Sequence, residues 1–167
     1  MIKLYFDGAC EPRNPGGTAA YGFIIFREAI HGEGGFEVER LTELYRESKI
    51  VAEGGPESTN NVAEYSGLFS ALKWLQKNNL TSETIRCYGD SRLVIYQLTE
   101  DHPETGKKWK VRPGHKPYKP VALKCRELVK EFPHIKFTWV PREKNIADAV
   151  SKQVLRDKGV TFRIQPE

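Results

Sequence analysis

The chain has 167 residues, of which 39% are hydrophobic and 29% charged, and its 26 Lys and Arg against 22 Asp and Glu leave a net charge of +4. This composition excludes a wholly disordered chain, and the sequence has no stretch of about 20 apolar residues that could cross a bilayer. Three widely separated cysteines, Cys10, Cys87 and Cys125, argue against a disulfide framework and against a zinc site of paired cysteines.

The amino terminus reaches the carboxylate of Asp7 before a signal-peptide core could form. We therefore expect a soluble, cytoplasmic, monomeric protein without membrane attachment, folded as one domain over residues 1–167. Two turn-rich segments, residues 11–17 and residues 100–119, interrupt the periodic parts of the chain.

The first part of the chain predicts three strands. Residues 2–6 alternate apolar and polar side chains, and residues 21–26 form an apolar run of strand length. Residues 31–35 predict a loop, residues 37–45 a short helix and residues 48–52 a third strand.

Helices and strands alternate in the rest of the chain. Apolar residues at helical spacing predict a helix from Asn61, and further helices over residues 91–98, over residues 121–132 and from Ile146 to Gly159. Strands are predicted over residues 84–88 and 135–139, followed at the end by a docked tail within residues 159–167. This order predicts an α/β fold with a mixed sheet.

Four acidic residues lie at the ends of predicted elements: Asp7, Glu64, Asp90 and Asp148. Three of them have local explanations: Glu64 as part of a capping box, Asp90 as a helix cap and Asp148 as a partner of the helix macrodipole. Asp7 has no such explanation, because it closes a strand and acidic residues are depleted in strands. Since ligands bind at strand ends in open α/β sheets, Asp7 and Asp90 can both reach a common binding edge.

Carboxylates that cluster at such an edge repel one another unless a cation neutralises them. Oxygen ligands without a cysteine or histidine set suit Mg²⁺ or Mn²⁺ rather than zinc. Two such ions about 3.5–4 Å apart supply what phosphodiester cleavage needs, because one activates a water and the other stabilises the departing oxygen.

Four segments resemble, in order, the motifs of type 1 ribonuclease H, and most closely those of its archaeal-type branch. Each carries one of the four acids, and they are Tyr5–Gly17, Ser58–Tyr65, Tyr88–Val94 and Trp139–Asp148. The resemblance implies a ribonuclease H-like fold, in which a five-stranded mixed sheet is flanked by helices on both faces. It also implies endonucleolytic hydrolysis of the RNA strand of RNA/DNA hybrids, and some archaeal-type relatives cut double-stranded RNA as well.

The resemblance further implies the residues of the site. The metal ligands and catalytic acids would be Asp7, Glu64, Asp90 and Asp148, holding two Mg²⁺ ions for which Mn²⁺ substitutes. The substrate-binding residues of the matching motifs would be Gly8, Cys10, Asn14, Thr59, Asn60, Asn61 and Ser91. Small polar side chains and close backbone approach suit recognition of the ribose 2′-hydroxyl, which distinguishes RNA from DNA. Turn and cap chemistry is the alternative explanation for the asparagines.

The loop before the last helix departs from the family pattern. Many relatives carry a histidine there, whereas this chain has Arg142 and no histidine between Pro141 and Asp148. We hypothesise that Arg142 is catalytic through contact with the scissile phosphate or the product, since a guanidinium binds phosphate in bidentate geometry but cannot act as a base. Asn145 precedes Asp148 by 148 − 145 = 3 positions, one fewer than the archaeal-type motif leads us to expect, which makes Asp148 the least secure ligand.

Extra length separates the first two acids. Residues 28–46 account for it, and we expect them to enlarge a hairpin away from the chemistry.

A basic segment lies between Lys107 and Lys119. It contains six cations and no acid, with Trp109, His115 and Tyr118 interleaved. Such runs are usually solvated faces, but beside a nuclease site this one predicts a contact with the DNA strand. The candidate contact residues are Lys107, Lys108, Trp109, Lys110 and Arg112.

Two other functions fit the same fold. A catalytically silent nucleic-acid-binding module is disfavoured because a pure binder gains nothing from four carboxylates facing phosphates. A transposase-like core is disfavoured because the short chain carries no additional DNA-reading domain. The leading hypothesis is a metal-dependent ribonuclease H with an RNA/DNA hybrid as its partner.

Overall fold

Strand β1, Ile2–Glu11, lies at the centre of a five-stranded sheet with the order β3-β2-β1-β4-β5. The computed structural model describes residues 1–99 and 114–163. The other strands are β2 Thr18–Glu33, β3 Phe36–Glu53, β4 Ile85–Gly89 and β5 Ile135–Trp139. Strands β1, β2 and β3 pair antiparallel, whereas β4 and β5 run parallel to β1, so the sheet is mixed as the sequence predicts.

Four α-helices accompany the sheet within the described part of the chain. They are α1 Asn60–Lys77, α2 Arg92–Thr99, α3 Lys119–Val129 and α4 Ala147–Lys158, and a 3₁₀ turn, Arg142–Lys144, precedes the last of them. Each α-helix overlaps one predicted from the apolar periodicity, and α4 ends where Gly159 adopts a left-handed conformation with φ 81°. None of the described helices combines the length and apolar character needed to span a membrane.

Alternation along β1 sends its side chains to opposite faces of the sheet. Ile2, Leu4 and Phe6 are fully buried in the main core, which α1 covers. Ala9 points to the other face and packs with Leu155 of α4. Helices therefore cover both faces, as the resemblance implied.

Residues 37–45 correct one prediction. They belong to β3, not to a short helix, and pair in antiparallel register with the outer half of β2. The glutamates in this segment favour a helix locally, but pairing with β2 satisfies the backbone through partners that are distant in sequence. Only Gly34 and Gly35 form the turn, so the predicted loop over residues 31–35 is largely strand. The extra residues thus lengthen a hairpin, whose tip lies at the end of the sheet opposite Glu11.

Candidate active site

Asp7 and Asp90 reach the same edge of the sheet from neighbouring strands. Strands β1 and β4 are parallel, and Tyr5 lies opposite Tyr88 in their register. Each aspartate follows its tyrosine by two residues, so the two lie at the same level of the sheet, just past the end of β4 at Gly89. The shared edge predicted for these two acids is therefore present. The prediction that Asp7 closes its strand is wrong, because β1 continues to Glu11.

Glu64 joins them because α1 crosses β1 at very short range. A Cβ atom on Gly8 would lie 2.4 Å from the backbone nitrogen of Glu64, so only glycine allows this approach. The interpretation of Glu64 as part of a capping box is wrong, since the cap is Thr59, whose Oγ1 accepts a hydrogen bond from the Val62 amide at 3.1 Å. Glu64 lies further into the helix, where the residue is 1% exposed.

These three acids form a compact set of oxygen ligands. One carboxylate oxygen from each of Asp7, Glu64 and Asp90 lies within 4.8 Å of the others. Among the described residues, the buried Oε2 of Glu64 has no hydrogen-bond partner. A divalent cation fits this cluster, because it would give that oxygen a partner and cancel the repulsion between the carboxylates.

The pKa values of the cluster show the same repulsion. Burial raises the pKa of Asp7 well above its usual range, and the charge of Asp90 raises it further. Burial also raises the pKa of Glu64 well above its usual range, with the charge of Asp7 as the next cause. Asp90 is half-buried, and desolvation raises its pKa despite a hydrogen bond with Asp7 that acts in the opposite direction. The acids thus favour bound protons or a bound cation.

Asp148 lies beside this cluster rather than within it. Its negative charge contributes to the raised pKa of both Asp7 and Asp90. Its Oδ1 lies 3.1 Å from the Lys152 ammonium and 3.4 Å from Nε of Arg142. Asp148, in the first turn of α4, is therefore held by two cationic side chains.

Two hydrogen-bonding side chains support the acids from the α4 side. The Ser151 hydroxyl lies 2.8 Å from the carbonyl oxygen of Asp148 and 3.3 Å from Oδ2 of Asp7, so one hydroxyl bridges the two residues. The contact with Asp7 depends on Gly22, where a Cβ would lie 2.3 Å from the Ser151 nitrogen. Asn145 is 3% exposed, and its side chain acts to lower the pKa of Asp90. The segment from Asn145 to Ser151 thus supports the acids of the first and third motifs.

The four acids line a cleft of about 410 Å³. Nine of the residues singled out from the sequence line it, namely Asp7, Gly8, Cys10, Asn14, Asn60, Glu64, Asp90, Arg142 and Asp148. The cleft therefore brings together the acids, Arg142 and parts of the first two motifs.

Comparison with known proteins identifies the family. A family model described as reverse transcriptase-like matches residues 47–154, more than half of the chain. The structure is similar to that of RNase H1 from the halophilic archaeon Halobacterium salinarum, with a TM-score of 0.64 and 29% identity over 93% of this chain and 98% of that one. The chain belongs to the reverse transcriptase-like family that this family model describes, and it is a type 1 ribonuclease H.

Two further relatives resemble this ribonuclease H. LC11-RNase H1, isolated from compost by a metagenomic approach and solved in complex with an RNA/DNA hybrid, has a TM-score of 0.68 and 26% identity over 95% of this chain and 99% of that one. A bifunctional protein of Mycobacterium tuberculosis is 33% identical over 144 residues, which are 86% of this chain and 33% of that protein. The chain thus spans about a third of the mycobacterial relative.

The substrate-binding residues predicted for this ribonuclease H differ in what their side chains do. Cys10 is buried, and its thiol lies 3.0 Å from the carbonyl oxygen of Arg13 and 3.1 Å from that of Ser58, so the thiol is held within the protein. Asn14 accepts a hydrogen bond from the Asn60 amide at 3.1 Å, which joins the first two motifs. Ser91 caps α2 through a bond from the Val94 amide at 3.3 Å.

The other predicted contacts lie elsewhere. Thr59 and Asn61 are half-buried at the start of α1. The basic contact residues lie outside the described part of the chain, and they are Lys107, Lys108, Trp109, Lys110 and Arg112.

The cleft also contains residues that the sequence did not single out as site residues: Ala9, Glu11, Trp139, Lys152 and Arg163. Trp139 donates its indole N–H to the carbonyl oxygen of Asp90 at 3.0 Å. Lys152 follows Asp148 by one helical turn, a spacing that the sequence displays. The sequence carried no comparable sign of Arg163, which lies 152 residues after Glu11.

Proposed function

We propose that this ribonuclease H hydrolyses the RNA strand of RNA/DNA hybrids, using Mg²⁺ or, as a substitute, Mn²⁺, and leaves 5′-phosphate and 3′-hydroxyl ends. The observation that carries the proposal is the cluster of three carboxylates, from β1, α1 and the end of β4, at the base of an open cleft. The hybrid bound by LC11-RNase H1 supports the choice of substrate.

Each acid has a role in this proposal. Asp7, within β1, and Asp90, just after β4, would hold both ions, and Glu64 would hold one ion and orient the attacking water. Asp148 would complete the second position after giving up part of its pairing with Lys152 and Arg142. When bound, the two ions activate the water and stabilise the departing oxygen.

Arg142 is suited to the phosphate. Its side chain is 63% exposed at the rim of the cleft, and its charge acts on the pKa of Asp90 in the lowering direction. We assign it the contact with the scissile phosphate or the product, where its fixed charge provides electrostatic stabilisation without proton transfer.

The backbone near Gly8 and Cys10 and the side chains of Asn14 and Asn60 would face the ribose 2′-hydroxyls of the RNA strand. Thr59 and the basic segment would hold the DNA strand through its phosphates. The segment from Lys107 to Lys119 contributes +6, which leaves 4 − 6 = −2 for the rest of the chain. This division of charge gives a cationic segment that would bind the nucleic acid and an anionic cleft that would cut it. Binding should therefore weaken steeply as the salt concentration rises.

The substrate class can be tested with three labelled duplexes of one sequence: RNA/DNA, RNA/RNA and DNA/DNA. We expect Mg²⁺- or Mn²⁺-dependent cleavage of the RNA strand of the hybrid, no cleavage of DNA/DNA, and no cleavage in EDTA. Cleavage of RNA/RNA alongside the hybrid would add double-stranded RNA as a second substrate. An intact hybrid under all metal conditions would contradict the proposal.

A further inference from the structure

The segment after α4 returns to the active-site cleft. The helix ends at Gly159, whose left-handed conformation reverses the chain. Phe162 is 8% exposed and packs with Ala9, Ala20 and Leu155. This anchor brings the next residue, Arg163, to the end of β1, where it lines the same cleft as the catalytic acids.

Arg163 makes several directed contacts there. Its Nη2 donates to the carbonyl oxygen of Cys10 at 3.0 Å, and its Nε donates to Oε2 of Glu11 at 3.2 Å. Its backbone N–H donates to the same Glu11 oxygen at 3.0 Å. Together these bonds fix both the backbone and the side chain at the end of β1.

Glu11 needs this partner because of where it lies. Five acidic residues line the cleft, and the proposed metal sites use four of them. Glu11 is the fifth, and no metal ion is assigned to it. Its side chain is 13% exposed, whereas that of Arg163, laid against it, is 51% exposed. Without Arg163, a poorly solvated carboxylate would face the phosphates of an incoming strand.

We propose that Arg163 is a positioning residue for the substrate: by neutralising Glu11 and holding the Cys10 carbonyl, it makes this wall of the cleft able to accept a nucleic-acid backbone. The inference rests on the proposed function, since it takes the ligand to be a nucleic acid. It assigns a role in binding to the segment after α4, which carries none of the four family motifs.

The test measures binding without turnover. A fluorescent RNA/DNA hybrid is titrated with protein carrying Asp90→Asn, in Mg²⁺, and the affinity is compared after adding Arg163→Gln, Glu11→Gln or both. We expect Arg163→Gln to weaken binding by about three- to tenfold, the usual scale for one uncompensated charge at an interface. The double variant should return to within about twofold of the parent, because it removes the exposed repulsion.

Two matched variants separate charge from structure. Arg163→Lys keeps a cation beside Glu11 but lacks the second nitrogen that holds the Cys10 carbonyl, so its affinity should lie between those of the parent and Arg163→Gln. Arg156→Gln makes the same charge change on a guanidinium that contacts Phe162 at 5.8 Å but lies outside the cleft, and it should leave affinity unchanged. Thermal unfolding of each variant identifies any loss of folded protein, and a merely structural role for Arg163 would lower Tm while leaving the affinity of the folded protein intact.

The inference is overturned if Arg163→Gln binds like the parent, or if the double variant binds no better than Arg163→Gln alone. It is also overturned if Arg163→Lys loses as much affinity as Arg163→Gln. These outcomes do not require cleavage, whereas the proposed function fails if the wild type leaves the hybrid uncut.

Discussion

The side-chain amide of Asn145 donates a hydrogen bond to the carbonyl oxygen of Phe6 at 2.9 Å, which ties the turn before α4 to the residue preceding Asp7. The Oδ1 atom of the same side chain accepts from the Ala147 amide at 3.1 Å, at the start of α4. One buried amide therefore links the strand that carries Asp7 to the helix that carries Asp148. It is a positioning residue for two elements of the candidate active site.

Replacing this residue, as Asn145→Ala, should cost about 1–3 kcal/mol of unfolding free energy, because it leaves buried backbone groups without partners. Turnover should fall as well, since Asp90 and Asp148 lose support. Urea unfolding and hybrid cleavage rates measure the two effects. Asn78→Ala provides the control, because its amide bonds the Trp74 carbonyl at an exposed helix end. Wild-type stability and turnover in Asn145→Ala would contradict the assignment.

The close approach at Gly8 makes a second prediction. In Gly8→Ala the new Cβ would meet the backbone of Ala63 and Glu64, so α1 must shift away from β1. We expect a loss of stability of about 1–3 kcal/mol, typical of overpacking, together with weaker Mg²⁺ binding by calorimetry. Gly32→Ala is the matched control, since a Cβ there would meet open space. Equal Mg²⁺ affinity in wild type and Gly8→Ala would show that this approach does not set the position of Glu64.

The repulsion between buried carboxylates predicts how stability depends on pH in metal-free protein. Burial and neighbouring charges raise the pKa values of Asp7 and Glu64 in the folded chain, whereas unfolding returns them to about 4. Above that pH the folded state binds more protons than the unfolded state, so the free energy of unfolding falls as pH rises toward neutrality.

Glu64→Gln should remove part of this loss. In EDTA it should exceed the wild type in stability near pH 7 by on the order of 1 kcal/mol or more, and the advantage should shrink near pH 4. Saturating Mg²⁺ should stabilise the wild type more than the variant. Urea unfolding at several pH values measures these differences, and an advantage independent of pH would contradict the repulsion.

The rim position of Arg142 predicts a selective loss of activity. Arg142→Ala should lower kcat on the hybrid by roughly 10- to 100-fold if its charge stabilises the reacting phosphate, with little change in Tm because the side chain is largely exposed. Lys144→Ala, in the same 3₁₀ turn but outside the cleft, should keep wild-type kcat. An unchanged kcat in Arg142→Ala would exclude the proposed contact.

Local patterns in the sequence were sufficient for most of the fold. Alternation over residues 2–6 and the apolar stripe that begins at Asn61 are properties of single elements, and both elements form where predicted. Asp7 stood out because a carboxylate that ends an alternating run of strand residues has no local use, although β1 continues past it to Glu11. Its shared edge with Asp90 followed from the general rule that binding sites gather at strand ends.

The errors and omissions involve partners far apart in the chain. Residues 37–45 contain good helix formers, and only the antiparallel register with β2 makes them a strand. The same is true of Ser151, whose bond to Asp7 spans 144 residues, and of Arg163, which pairs with Glu11 across 152 residues. Such contacts depend on how elements pack, which local periodicity does not specify.

The most direct test of the central claim is the rate of hybrid cleavage by wild type and by Asp90→Asn, each with Mg²⁺ and with EDTA. Asp157→Asn, which removes an acid at the exposed end of α4, is the control for the change in charge. We predict rapid cleavage by wild type and Asp157→Asn in Mg²⁺, and a rate at least about 100-fold lower for Asp90→Asn. No variant should cleave the hybrid in EDTA. Cleavage that persists in EDTA, or a fully active Asp90→Asn, would contradict metal-dependent catalysis by the acidic cluster.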